Sequence, residues 1–119
     1  MPKKILIITD DAGESLEIYY AQQRFNEAGH KAVIAATQKK LLHGVIHDFE
    51  PDWNTYVERP GYRIRSDVAF SKVRVADYEA VMLIGGRAPE FLRWRIPSRS
   101  CGNGASASQS SFSWLKISR

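Results

Sequence analysis

The chain is 119 residues long, room for one small domain and not for two independent cores, because single domains usually run to about 100–200 residues. Its 44% hydrophobic and 25% charged residues are those of an ordinary globular domain, and no apolar run approaches the roughly 20 residues of a membrane-spanning helix, so general disorder and a membrane-embedded fold are excluded. The net charge of +4 is confined to the end of the chain: residues 1–94 balance thirteen acids with thirteen Lys and Arg, whereas residues 95–119 carry Arg95, Arg99, Lys116 and Arg119 and no acid.

Lys4-Ile5-Leu6-Ile7-Ile8-Thr9 is a nearly continuous apolar run rich in β-branched residues, which predicts a central parallel strand buried on both faces. Asp10-Asp11-Ala12-Gly13 breaks it, and from Glu14 the positions Leu16, Ile18, Tyr19, Phe25 and Ala28 recur at helical spacing until Gly29 stops the element. Ala32–Ala36 returns as a second strand, closing a βαβ unit with the right-handed crossover such units take. Over forty residues follow that are not one periodic element. Gly44, Pro51, Pro60 and Gly61 punctuate them, and the short alternating stretches Tyr62–Arg65 and Val68–Phe70 predict a small β excursion at about 44–72. Ala80–Ile84 is a third buried strand ending at Gly85-Gly86, and Pro89 sits in the first turn of the helix that follows. The class is α/β. The serine-rich, basic segment 95–119 is a second compositional regime and is expected to be disordered, given the low apolar content of residues 95–111.

In open α/β sheets chemistry gathers at the carboxyl ends of the strands, here after Thr9 and after Ile84. Paired glycines at a strand end let backbone N–H groups face a ligand without Cβ obstruction, as an oxyanion hole requires, although Gly85-Gly86 taken alone is equally a tight strand-to-helix turn. Glu17, among Leu16, Ile18 and Tyr19, is either a partly buried acid at the sheet edge or a solvated glutamate favoured by the helix dipole.

Gly85-Gly86-Arg87-Ala88-Pro89-Glu90 after a hydrophobic strand, with Pro60-Gly61-Tyr62-Arg63, Val45-Ile46-His47-Asp48-Phe49-Glu50-Pro51, Trp53, Thr55-Tyr56 and Glu58 before it and an N-terminal strand leading to Glu17, resembles the ThiJ/PfpI family over about residues 3–93. That family, within the class I glutamine amidotransferase-like superfamily, includes protein deglycases, glutathione-independent glyoxalases and intracellular cysteine peptidases. The resemblance implies a flavodoxin-like parallel-sheet sandwich presenting a nucleophilic cysteine beside a carboxylic acid from the first helix and a Gly-Gly amide hole. It places Glu17 as the acid and Gly85 and Gly86 as the oxyanion hole. In intact relatives it implies a small carbonyl or peptide substrate, no cofactor and homo-oligomerisation. A protonated acid at Glu17 would donate a hydrogen bond to the thiolate and favour the charged sulfur.

The chain departs from the pattern at the nucleophile. No Cys-His pair exists, and Cys101, the single cysteine, sits in Arg99-Ser100-Cys101-Gly102-Asn103-Gly104 with no apolar strand before it. It is read as an incidental thiol, and it excludes an internal disulfide or a multi-cysteine zinc site. The sequence is therefore read as a truncated family domain, residues 1–94, that is inactive without the sulfur and followed by the tail 95–119. Permitted codons read in one shifted frame turn Arg95-Ile96-Pro97-Ser98 into Asp-Pro-Glu and Ser113–Arg119 into Met-Ala-Glu-Asn-Gln-Pro, both family-like, which predicts a frame-shifted tail.

His43 and His47 stand four apart, but Gly44 and Pro51 oppose a helix there, and no metal is expected. His30 reads as a helix-end histidine. The four tail bases are scattered, so no nucleic-acid partner is expected, nor a membrane one. Met1-Pro2-Lys3-Lys4 precedes too short an apolar stretch for a secretory leader, which points to the cytoplasm. The alternative reading is a non-catalytic, receiver-like binding module, for which Asp10-Asp11 would be the acidic pair; Gly85 stands where its phosphoacceptor Asp belongs.

Overall fold

The computed structural model describes residues 1–95 and 114–116. In chain order the elements are β1 (Lys4–Ile8), α1 (Ser15–Glu27), β2 (Lys31–Ala36), β3 (Leu41–Asp48), β4 (Val57–Arg65), β5 (Val68–Ala69), β6 (Ala80–Leu83), α2 (Ala88–Arg95) and β7 (Trp114–Lys116), with two short 3-10 turns between β5 and β6. The main sheet runs β5-β2-β1-β6-β7 and is parallel except for β7, which lies antiparallel on β6 with Ala80 opposite Lys116 and Met82 opposite Trp114. β1 is central, as its continuous apolar run requires: Ile5, Leu6 and Ile7 are all buried.

The larger core lies on one face of this sheet, where Ile7, Ile34, Met82 and Ile84 meet Ile18 and Ala21 of α1 and Leu42 and Ile64 of the β3–β4 hairpin. The stripe that α1 buries is Ser15, Ile18 and Ala21, with Tyr19 and Phe25 partly covered. Leu16 and Ala28, expected to face the core, are exposed, because the inward face of this helix follows the Ile18, Ala21, Phe25 spacing. The helix ends where Gly29 was expected to stop it. Gly29 N–H donates to Asn26 O and His30 N–H to Phe25 O, the paired bonds of a Schellman cap, so His30 follows the helix end as predicted.

The excursion predicted at about 44–72 resolves into two parts. An antiparallel hairpin, β3–β4, starts earlier than expected, at Leu41, and carries a bulge between His43 and Val45. Val68–Ala69 instead joins the main sheet as its parallel edge beside β2. The hairpin docks on the start of α1 because Gly44 and Gly61 leave room there: a Cβ on either would fall 2.3 Å from Ser15 Oγ.

β6 was expected to be a buried strand, and it is buried unevenly, with Val81 half-buried against the second core cluster of Leu6, Val33 and Ala35. Met82 is covered, while Leu83, at its end, is 48% exposed. Of the tail expected to be disordered, the described part, Trp114–Lys116, is strand β7. Residues 96–113 and 117–119, with Cys101 and the shifted-frame reading, lie outside the described residues.

Candidate functional site

The site is built on the segment after β1, which is wedged between the hairpin and the β6–α2 turn. Asp10 is buried and makes structural bonds: its carboxylate accepts from Asp11 N–H at 2.8 Å, Thr37 N–H at 2.8 Å and Thr37 Oγ1 at 2.6 Å. The Asp11 carboxylate accepts from His43 N–H at 2.9 Å and pairs with the Lys40 ammonium. Burial pushes the Asp11 carboxyl up, but the His43 amide and Lys40 outweigh it and hold it below its ordinary value. Both acids of the receiver-like reading are thus committed to neighbours, and β6 is followed by Ile84 and Gly85 without an aspartate.

Glu14 caps α1. Its carboxylate accepts from Glu17 N–H at 2.8 Å, and it is the N-cap residue, so the helix proper starts at Ser15. Its own N–H donates to Gly85 O at 3.2 Å, and Glu17 Oε2 accepts from Gly85 N–H at 2.8 Å. The first turn of the helix therefore grips both peptide groups of Gly85, across 68 residues of sequence. Glu17 is half-buried, and its Oε1 makes no hydrogen bond among the described residues.

The three residues predicted for the site are brought together, with different parts for the two glycines. Gly85 N–H is occupied by Glu17, and a Cβ at Gly85 would lie 2.9 Å from Glu17 Oε2. Gly86 N–H makes no hydrogen bond among the described residues and is the unclaimed amide donor. Gly86 holds φ +90 and bridges to Gly13, where a Cβ would come within 2.5 Å of Ala12 O and 2.8 Å of Glu14 N; the left-handed backbone and the contact both demand glycine.

Beyond the turn, Arg87 reaches β4. Its Nε lies 2.8 and 2.9 Å from the two carboxylate oxygens of Glu58, and Nη2 lies 2.7 Å from Oε1. The guanidinium holds the Glu58 carboxyl below its ordinary value and is itself raised by it. His47 Nε2 stands 3.8 Å from Glu58 Oε2, and its ring stacks on Tyr56 with centroids 4.2 Å apart. Residues of this cluster carried the resemblance, but their contact was not readable: Glu58 and Arg87 are 29 positions apart across an irregular excursion. His43 lines a neighbouring open cleft of about 420 Å³ with Asp11, Glu58, Arg59 and Arg87. Among the described residues no group of His, Cys, Asp and Glu is arranged to hold a metal, and no helix is long and apolar enough to cross a membrane.

This arrangement offers an acid beside a free backbone amide at the carboxyl edge of a parallel sheet. The family model described as DJ-1/PfpI matches residues 3–97. The chain belongs to the DJ-1/PfpI family. It is 33% identical over 90 residues to a protein named a deglycase in Thermococcus kodakarensis and 31% identical over 90 residues to deglycase PfpI of Pyrococcus furiosus; each alignment covers 76% of this chain and 46% of the relative. Protein DJ-1 homolog D of Arabidopsis thaliana is 33% identical over 93 residues, covering 76% of the chain and 24% of that protein. A ThiJ/PfpI domain protein from Brachyspira murdochii superposes with a TM-score of 0.59 at 21% identity, covering 76% of this chain and 45% of that one, a likeness of fold. The flavodoxin-like DJ-1/PfpI fold expected from the sequence is thus present, and the chain spans about half the length of the archaeal deglycases it matches.

Proposed function

We propose that this chain carries the acid and amide parts of a cysteine-dependent centre of the deglycase kind, and that it does not turn over by itself. In this reading Glu17 donates to a thiolate through Oε1, and Gly86 N–H stabilises the oxyanion formed when that thiolate adds to a carbonyl carbon. The thiolate is the missing part: residues 3–97, which the family model matches, contain no cysteine. The observation that carries the reading is the 2.8 Å contact between Glu17 Oε2 and Gly85 N–H, which holds the acid against the glycine turn. The substrate class that goes with it in intact relatives is a small carbonyl compound or a peptide, handled by a homo-oligomer in the cytoplasm without cofactor or nucleic acid.

The test is incubation of the full chain, Cys101→Ala and Glu17→Gln with methylglyoxal and with a glycated peptide. All three should match the protein-free control. Turnover that survives Cys101→Ala and vanishes in Glu17→Gln overturns the reading, because it requires a nucleophile other than the family's sulfur. The tail belongs to the same proposal as a frame-shifted continuation of a family sequence; the DNA encoding residues 94–119 should read as family-like protein in the alternative frame.

A further inference from the structure

We propose that Arg87 and Glu58 are a positioning pair that sets the Gly85–Gly86 turn, with His47 and Tyr56 steadying the carboxylate from behind. This deepens the reading above and rests on it, since that reading makes Gly86 the working amide.

Gly85 is tied through its main chain to Glu14 and Glu17, and Arg87 N–H donates to Ala12 O at 2.9 Å. All these ties run to one side, toward the loop after β1 and the start of α1. Gly86, between them, has no hydrogen bond of its own among the described residues and a backbone conformation that few residues adopt. The side chain of Arg87 supplies the one hydrogen-bonded tie, among the described residues, from this turn to the hairpin on the other side. Three N–O approaches of 2.7 to 2.9 Å fix the plane of the guanidinium as well as its place, which a lysine point charge cannot do.

The carboxylate is in turn held from a second direction. His47 of β3 lies opposite Glu58 in the hairpin register, stands 3.8 Å from its Oε2 and is stacked on Tyr56. Glu90, in the first turn of α2, adds its charge on the Arg87 side. The Arg87 side chain is 62% exposed and that of Glu58 27%, and exposed ion pairs contribute little to global stability, so the work of this one is geometric and local. The depressed Glu58 carboxyl agrees with a pair that stays ionised into mildly acidic solution.

The test uses the full 15N-labelled chain with Glu58→Gln and, independently, Arg87→Lys. The N–H groups of Gly85, Arg87 and Glu14 should exchange with solvent at least about fivefold faster in both variants, while those of Ile7 and Ile34 stay within about twofold of wild type. In wild type the Gly86 15N shift should follow a titration step below the ordinary glutamate value of 4.5. That step should be absent in Glu58→Gln and move upward in Arg87→Lys, a response that a purely structural filler would not give. Unchanged exchange at Gly85 and Arg87, an equal acceleration at Ile7 and Ile34, or a Gly86 shift blind to Glu58 would overturn the proposal. None of these readouts depends on turnover, so failure here leaves the acid-and-amide reading to its own assay.

Discussion

The β1–α1–β2 unit and the β6–α2 unit are made from the same parts, a parallel strand, a turn and a helix, and they differ in how completely they are covered. Both β1 and β6 have a strand on each edge, and around β1 the residues Ile7, Ile18 and Ile34 are fully buried. At β6 and α2, Leu83 is 48%, Phe91 38% and Trp94 87% exposed. Both strands read as apolar in the sequence, so apolarity locates a strand but does not say whether anything arrives to bury it. Burial is decided by elements elsewhere in the chain, and the described residues cover Met82, Ile84, Ala88 and Leu92 of the second unit while leaving Leu83, Phe91 and Trp94 exposed.

Removing equal apolar volume from each unit should have unequal effects. Ile34→Ala, at a fully buried site in β2, should cost about 3 kcal/mol in a denaturant titration, whereas Leu83→Ala on the exposed side of β6 should cost less than about 1 kcal/mol. Equal costs would mean that the two units are equally packed. A smaller effect separates the turns that close the two units, since both use a left-handed glycine. Gly29 has nothing within 4 Å of an added Cβ, so Gly29→Ala should lose only the conformational penalty, about 1 kcal/mol. Gly86→Ala adds a collision with Ala12 O and should cost about 2 kcal/mol or more, with changed amide shifts at Gly13 and Glu14.

How much of this was legible follows the range of the interactions. Strands β1, β2 and β6 and the stop at Gly29 depend on local composition and period, and they lie within a residue or two of their expected places. Glu17, Gly85 and Gly86 were found through the family pattern, and the structure brings them together. The sequence alone left Glu17 open between a buried acid and a solvated one, because its contact with Gly85 joins residues 68 positions apart. The hairpin was only half legible, since its alternation is broken by the bulge at His43 and by Gly44 and Gly61, whose purpose is their approach to Ser15. Arg87 with Glu58 was not legible as a pair, and neither was the difference between an occupied Gly85 amide and a free Gly86 amide.

The smallest effect is expected at the loop leaving β1. The Asp11 carboxyl lies below its ordinary value of 3.8, so its bonds to His43 and Lys40 stabilise the fold fully above that value. The contribution is lost as the pH falls through the lower value in the folded chain. Asp11→Asn should therefore cost under about 1 kcal/mol near neutrality and flatten the acid limb of a stability-against-pH curve below about pH 4. An unchanged acid limb would show that the loop is anchored by Asp10 and its Thr37 bonds instead.

Ala12 is one of two described residues other than glycine with a positive φ, at 63°. Its carbonyl accepts from both Arg87 N–H and Ala88 N–H, the amides that open α2. The second helix thus takes its heading from a peptide unit seventy-odd residues upstream, and the loop after β1 acts as a rudder for it. Evolutionary or engineered changes in that loop would be felt as a swing of α2, even though the two never meet in the sheet.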